Sequence, residues 1–147
     1  MSKPVVYLAG PILGQTETSA RHWRRQCTLV LDENHIRAID PLRCESSNGG
    51  VFGLKGLHGK HVHSKNVYDV RTCDLVLAYF PQQAYGKVSW GTLIEVGMAY
   101  AAAKPIILVA EAEQAKVHPV LIHSASFVVN ILEEGIDECI KLLGGYA

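Results

Sequence analysis

Runs of apolar residues alternate with amphipathic stretches along the whole chain. Val5-Val6-Tyr7-Leu8-Ala9 is a continuous apolar run closed by Gly10-Pro11, the pattern of a buried strand and its turn. From about Ser19 to Asn34 the period becomes helical. Trp23, Cys27, Val30 and Leu31 make the inner face, and Arg21, Arg24 and Arg25 lie mostly elsewhere. Ile36–Ile39 predicts a short second strand ending at Asp40-Pro41. A helix over about Val62–Cys73 leads into a strand, Leu75–Phe80. The stretch Ser89–Ala103 is helical by spacing, with Leu93, Val96, Ala99 and Tyr100 on one side, and Lys104-Pro105 stops it. Ser89 or Thr92 can cap its start. Ile106–Val109 is a fourth strand. A loop and a short helix near Pro119–His123 follow, then a fifth strand, Phe127–Asn130, and a closing helix, Ile131–Leu143.

Strands that alternate with helices predict an α/β fold: a parallel five-stranded sheet with helices on both faces and right-handed crossovers. The expected architecture is a flavodoxin-like or Rossmann-like three-layer sandwich with strand order 2-1-3-4-5, formed by residues 1–147 as one domain. With 147 residues, 48% of them hydrophobic, the chain can bury a sizeable core. The formal net charge is zero, so there is no basic excess to hold a nucleic-acid backbone. No apolar run is long enough to span a bilayer. The first strand begins within a few residues of Met1, leaving no room for a signal peptide. Cys27, Cys44, Cys73 and Cys139 are widely spaced with no C-x-x-C pair, which fits reduced cysteines and a cytoplasmic protein. The turn after the first strand lacks the full dinucleotide glycine pattern, and there is no P-loop.

In a sheet of this order, the carboxyl ends of the strands gather Tyr7, Gly10, Asp40, Ser89 and Glu95 around one crevice. Glu95 falls in or near the first turn of a mostly apolar helix, where it either complements the helix dipole or performs chemistry. Tyr7 is a core aromatic whose hydroxyl needs a partner, and Glu95 would serve. The irregular stretch from Leu42 to about Lys60 holds Gly49, Gly50, Gly53, Gly56 and Gly59, and reads as a lid or substrate loop. His58, His61 and His63 stand close together, but no cysteine or carboxylate completes a ligand set. They read as histidines of an exposed loop, and no metal is expected.

Tyr7-Leu8-Ala9-Gly10-Pro11, Asp40-Pro41, Cys73-Asp74, Ser89-x-Gly91-Thr92-x-x-Glu95-x-Gly97-x-Ala99 and His118-Pro119, in this order and spacing, resemble the nucleoside 2-deoxyribosyltransferase family, including the related deoxynucleoside 5′-monophosphate N-glycosidases. The resemblance covers nearly the whole chain. It implies an enzyme that breaks or exchanges the N-glycosidic bond of a nucleoside or nucleotide. Glu95 would attack the anomeric carbon to form a covalent glycosyl-enzyme, which an acceptor base or water then resolves. Tyr7 would orient Glu95, and the backbone around Gly10 and Pro11 would approach the ligand. Gly91 belongs to the same motif and joins the substrate-binding set. No cofactor or metal is implied. The partners are a nucleoside or nucleotide and a free base, and the resemblance implies a homo-oligomer.

The chain departs from the family pattern twice. The position eight residues before Asp74 is usually acidic and is Asn66 here, which can hydrogen-bond a sugar or base but is no acid. Asp69, three residues on, either substitutes for it or is a solvated helix residue. The position six residues before the nucleophile is an Asp in the transferases and is Ser89 here, as in the monophosphate glycosidases. Ser89 either helps hold a 5′-phosphate or only caps the helix. Arg43 and Lys87 are further phosphate candidates, or solvated charges. Three readings follow: base exchange, hydrolysis of a monophosphate, and a nucleotide-binding module without chemistry.

Overall fold

The structure is a computed structural model and describes residues 2–12, 15–43, 59–82 and 89–144. Five strands, β1 (Val5–Ala9), β2 (Arg37–Ile39), β3 (Leu75–Phe80), β4 (Ile106–Ala110) and β5 (Phe127–Val129), form one sheet in the order β2-β1-β3-β4-β5. Every pairing is parallel, as expected. The helices are α1 (Glu17–Glu33), α2 (Gly59–Thr72), α3 (Trp90–Ala101), α4 (Glu113–Val117), α5 (Pro119–Ser124) and α6 (Leu132–Leu143).

The central strands are apolar on both sides because both sides are covered. Tyr7, Ala9, Val76, Ala78, Leu108 and Ala110 point to one face. They pack there with Val70 and Cys73 at the end of α2, Val96 and Ala99 of α3, and Leu121 of α5. Val6, Leu8, Leu75, Leu77, Ile107 and Val109 point the other way, to Trp23, Cys27 and Leu31 of α1 and Leu132, Ile136 and Cys139 of α6. The alternation is the ordinary period of two along a strand. Register brings Tyr7 level with Ile39 on one side and Val76 on the other, so its phenol rises from the middle of the sheet beneath α2 and α3.

The structure also amends the sequence reading. The segment after β4 contains an additional short helix, α4, that the loop-like composition conceals. Helix α2 begins at Gly59, and β5 stops at Val129. Arg24 is not on an outer face. It is completely buried, in line with Ala20, Cys27 and Leu31. Helix α3 starts at Trp90 with Ser89 as its N-cap, so Glu95 stands in the second turn. The dipole effect fades within the first turn, so it does not account for Glu95. His58, Lys87 and most of the proposed lid lie outside the described residues, as does Cys44. Cys27, Cys73 and Cys139 are free and buried. Among the described residues no helix is long and apolar enough to cross a membrane, and no cluster of metal-binding side chains occurs.

Candidate active site

Helix α3 carries Glu95 inward. Thr92, Glu95, Val96 and Ala99 are its buried positions, and Glu95 as a whole is only 9% exposed. Burial pushes its pKa from 4.5 up to about 7, against the opposing pull of Tyr7, Arg24 and Lys65; Asp69 adds to the rise. Tyr7 stands opposite on β1, fully buried. Its phenol is held well above its usual pKa, first by burial and then by the charge of Glu95 and hydrogen bonding to it. Tyr7 Oη and Glu95 Oε2 nevertheless have no partner at ordinary hydrogen-bond geometry. The two groups are close enough to perturb each other's ionisation without closing a tight bond.

Helix α2 supplies a second wall. Asn66 and Asp69 are one turn apart and share a face. Asp69 is 3% exposed, which removes the reading of a solvated helix residue. Arg43 grips it: Nη2 donates to Oδ1 at 3.0 Å, and Nη1 lies 2.8 Å from Oδ2 but off the line of a hydrogen bond. Asn66 Oδ1 is buried with no partner. That leaves an acceptor in the cluster for a hydroxyl or amine to fill.

The third wall is the pair of turns that end β1 and β2. Gly10 is required by the protein itself: a Cβ there would sit 2.4 Å from the Trp23 ring. Its backbone carbonyl accepts from Arg24 Nη2 at 2.8 Å. Asp40 Oδ1 accepts from the Leu42 N–H at 2.8 Å and lies 3.7 Å from Arg24 Nε. Lys65 Nζ donates to the Pro41 carbonyl at 2.5 Å. Arg43, at the end of this turn, is the residue that pairs with Asp69.

Ser89 caps α3. Its Oγ accepts from the Thr92 N–H at 3.4 Å and lies 2.6 Å from Thr92 Oγ1. Gly91, in the first turn, is exposed, and a Cβ there would meet nothing. A cleft of about 580 Å³ opens on the other flank of α3. Leu93, Val96 and Tyr100 of α3 line it, with Leu121 of α5 opposite. Pro11 and Ser89 border it, but Glu95, Tyr7 and Asp69 do not. The cleft is lined mainly by apolar groups, and the buried polar groups Tyr7, Asp69 and Glu95 are not among its lining.

Of the candidates read from the sequence, Tyr7, Glu95 and Asp69 act on one another's charge, and Asn66 lies one turn from Asp69 on α2. Gly10, Pro11, Asp40 and Arg43 frame it through their turns. Ser89 and Gly91 stand at the start of α3, and Ser89 borders the cleft. Sequence reasoning misses Arg24 and Lys65. The spacing 20, 24, 27, 31 places Arg24 on the buried stripe of α1, and this could have found it. A charged residue among apolar ones is easily read as a break in the stripe. Lys65 carries no signal of its own.

Residues 6–134 match the family described as nucleoside 2-deoxyribosyltransferase. No curated protein sequence matches the chain. Solved structures share the fold at low identity. A 2-deoxyribosyltransferase from Leishmania mexicana has a TM-score of 0.69 at 15% identity, covering 94% of this chain and 97% of its own. The 2-deoxyribosyltransferase of Bacillus psychrosaccharolyticus has a TM-score of 0.65 at 16% identity, covering 88% of each chain. A CMP N-glycosidase from Clostridium botulinum has a TM-score of 0.60 at 19% identity, covering 95% of this chain and 99% of its own.

Proposed function

The chain belongs to the nucleoside 2-deoxyribosyltransferase family, and from that premise we propose that it cleaves or exchanges the N-glycosidic bond of a (deoxy)nucleoside or its 5′-monophosphate through a covalent glycosyl–Glu95 intermediate. The observation that carries this reading is Glu95 itself. It is a carboxyl buried in an apolar helix beside Tyr7, with a pKa near 7 and no dipole role to explain it.

In the first step an oxygen of the Glu95 carboxylate bonds to the anomeric carbon, the carbon–nitrogen bond breaks, and its electron pair leaves with the base. A poorly solvated carboxylate suits this attack, because little water has to be stripped from it. Tyr7 orients it and stabilises the ionised form. Asp69, held by Arg43, and Asn66 offer acceptors to sugar hydroxyls or to the base. In the second step the nitrogen of an acceptor base, or a water oxygen, attacks the same carbon and releases Glu95 as carboxylate; the proton that the attacking group loses balances the one that the departed base takes up. No organic cofactor or metal enters either step.

Ser89 favours a second reading within the same chemistry, hydrolysis of a nucleoside 5′-monophosphate. It puts a hydroxyl, not an acid, at the N-terminus of α3, beside the open backbone at Gly91, and such a place suits a phosphate. The reading from another class, a nucleotide-binding module without turnover, rests on Asn66 replacing an acid. One experiment separates the three. Deoxynucleosides and their 5′-monophosphates are incubated with and without a second free base, and bases are followed by chromatography beside Glu95→Ala. Exchange products indicate a transferase, and free base from monophosphates alone indicates a hydrolase. Tight binding without base release, unchanged in Glu95→Ala, overturns the enzyme reading.

A further inference from the structure

Arg24 heads the large side chains that are fully buried in the protein, yet it has no part in the chemistry above. It sits midway along α1, and its guanidinium reaches several places at once. Nη2 donates to the Gly10 carbonyl at 2.8 Å, and Nη1 donates to the Ala20 carbonyl at 2.8 Å and to that of Pro11 at 3.5 Å. Nε lies 3.7 Å from Asp40 Oδ1, and Cζ lies 4.4 Å from the centroid of the Trp23 ring. Gly10-Pro11 ends β1 and Asp40 ends β2. One cation therefore ties two loops of the sheet's carboxyl edge to α1. The second of these loops also receives Lys65 at Pro41 and sends Arg43 to Asp69.

Stability alone does not call for this arrangement. A buried cation is costly unless its donors are filled, and an apolar side chain of similar volume often serves as well. Arg24 Nε has no hydrogen-bond partner, so the site is not tuned for maximal pairing. What an arginine offers over methionine or leucine at this position is a planar fork that fixes several acceptors relative to one another. We propose that Arg24 is a positioning residue, a clamp that holds the Gly10-Pro11 turn and the Asp40–Arg43 turn in one arrangement around Glu95. The proposal rests on the reading of Glu95 as nucleophile. The groups whose charge or hydrogen bonding acts on Glu95 are Tyr7 from β1, Arg24 from α1, and Lys65 and Asp69 from α2.

The test compares wild type, Arg24→Lys, Arg24→Met, Asp40→Asn and Glu95→Ala by hydrogen exchange and by steady-state kinetics over pH, on whichever nucleoside or monophosphate the wild type turns over. Both Arg24 variants are expected to speed exchange in residues 10–12 and 40–43 while α6 stays protected. Both should lower kcat by about ten-fold or more, as small misplacements at an active site do. Arg24→Met, which removes a cation near Glu95, should also move the acidic limb of the profile to higher pH. Arg24→Lys should leave that limb in place while kcat remains low, because lysine restores the charge and not the fork. Asp40→Asn should loosen 40–43 alone, and it carries the test if Arg24→Met does not fold. Wild-type kcat in Arg24→Lys, or exchange raised equally in α6, overturns the clamp. Turnover surviving in Glu95→Ala overturns the nucleophile instead, and the exchange pattern then still decides the clamp.

Discussion

Glu95 holds its proton more tightly in the folded protein than in the unfolded chain, because burial raises its pKa from 4.5 to about 7. Folding stability therefore falls as pH rises from about 4.5 through 7, and above that range the cost of burying the charge is felt in full. At about 1.4 kcal/mol per unit, the cost is on the order of 3 kcal/mol. Glu95→Gln should raise the melting temperature at pH 8 and leave it nearly unchanged at pH 4.5. An equal change at both pH values would show that the carboxyl is not held this way. On the proposed reading of Glu95 as nucleophile, activity has the opposite sign, since a nucleophile must be ionised: kcat/KM should fall below pH 7. Tyr7→Phe removes a group that favours the ionised form, so its acidic limb should move to higher pH; a limb that stays in place would count against the pairing. These two residues are legible in the sequence because each carries a polar atom where only apolar ones belong. Arg24 breaks the same rule and is missed, since surface arginines are common and its place on the buried stripe of α1 is easily read as a break in it.

At the scale of elements, the tight fit of the β1–α1 turn on Trp23 explains Gly10. The backbone there does not take a positive φ, so the glycine is needed for space and not for conformation. Gly10→Ala should cost about 1–3 kcal/mol in thermal unfolding, the usual range for overpacking. Combining it with Trp23→Leu should cost less than the two single changes added together. Full additivity would show that the ring is not the obstacle. The start of α3 is a lesser case. Ser89→Ala should lower stability by about 1 kcal/mol through the lost cap, and selective loss of monophosphate turnover beyond that would mark a phosphate role. The strand order is legible because each apolar run is long enough and stands between helices. Helix α4 is not: five residues following a strand leave too short a period to read.

For the whole molecule, the uneven distribution of apolar surface is the main clue to assembly. Trp90, Ile94 and Tyr100 of α3 and Val120 of α5 are more than half exposed, beside the apolar cleft. Exposed apolar side chains gathered in this way are the kind of patch through which proteins associate. A homo-oligomer, implied by the resemblance, is expected through this face. Light scattering at micromolar concentration should give a multiple of 16.1 kDa, and Ile94→Asp should reduce it to the monomer; a monomeric wild type would remove the expectation. The division of α3 also has a practical consequence. Glu95 faces the polar cluster, while Leu93, Gly97 and Tyr100 face the hollow on the opposite flank. Because the two sets occupy different phases of one helical repeat, a library that varies only Leu93 and Gly97 would reshape the hollow while Glu95 keeps its surroundings. The helix separates the surroundings of Glu95 from the wall of the hollow.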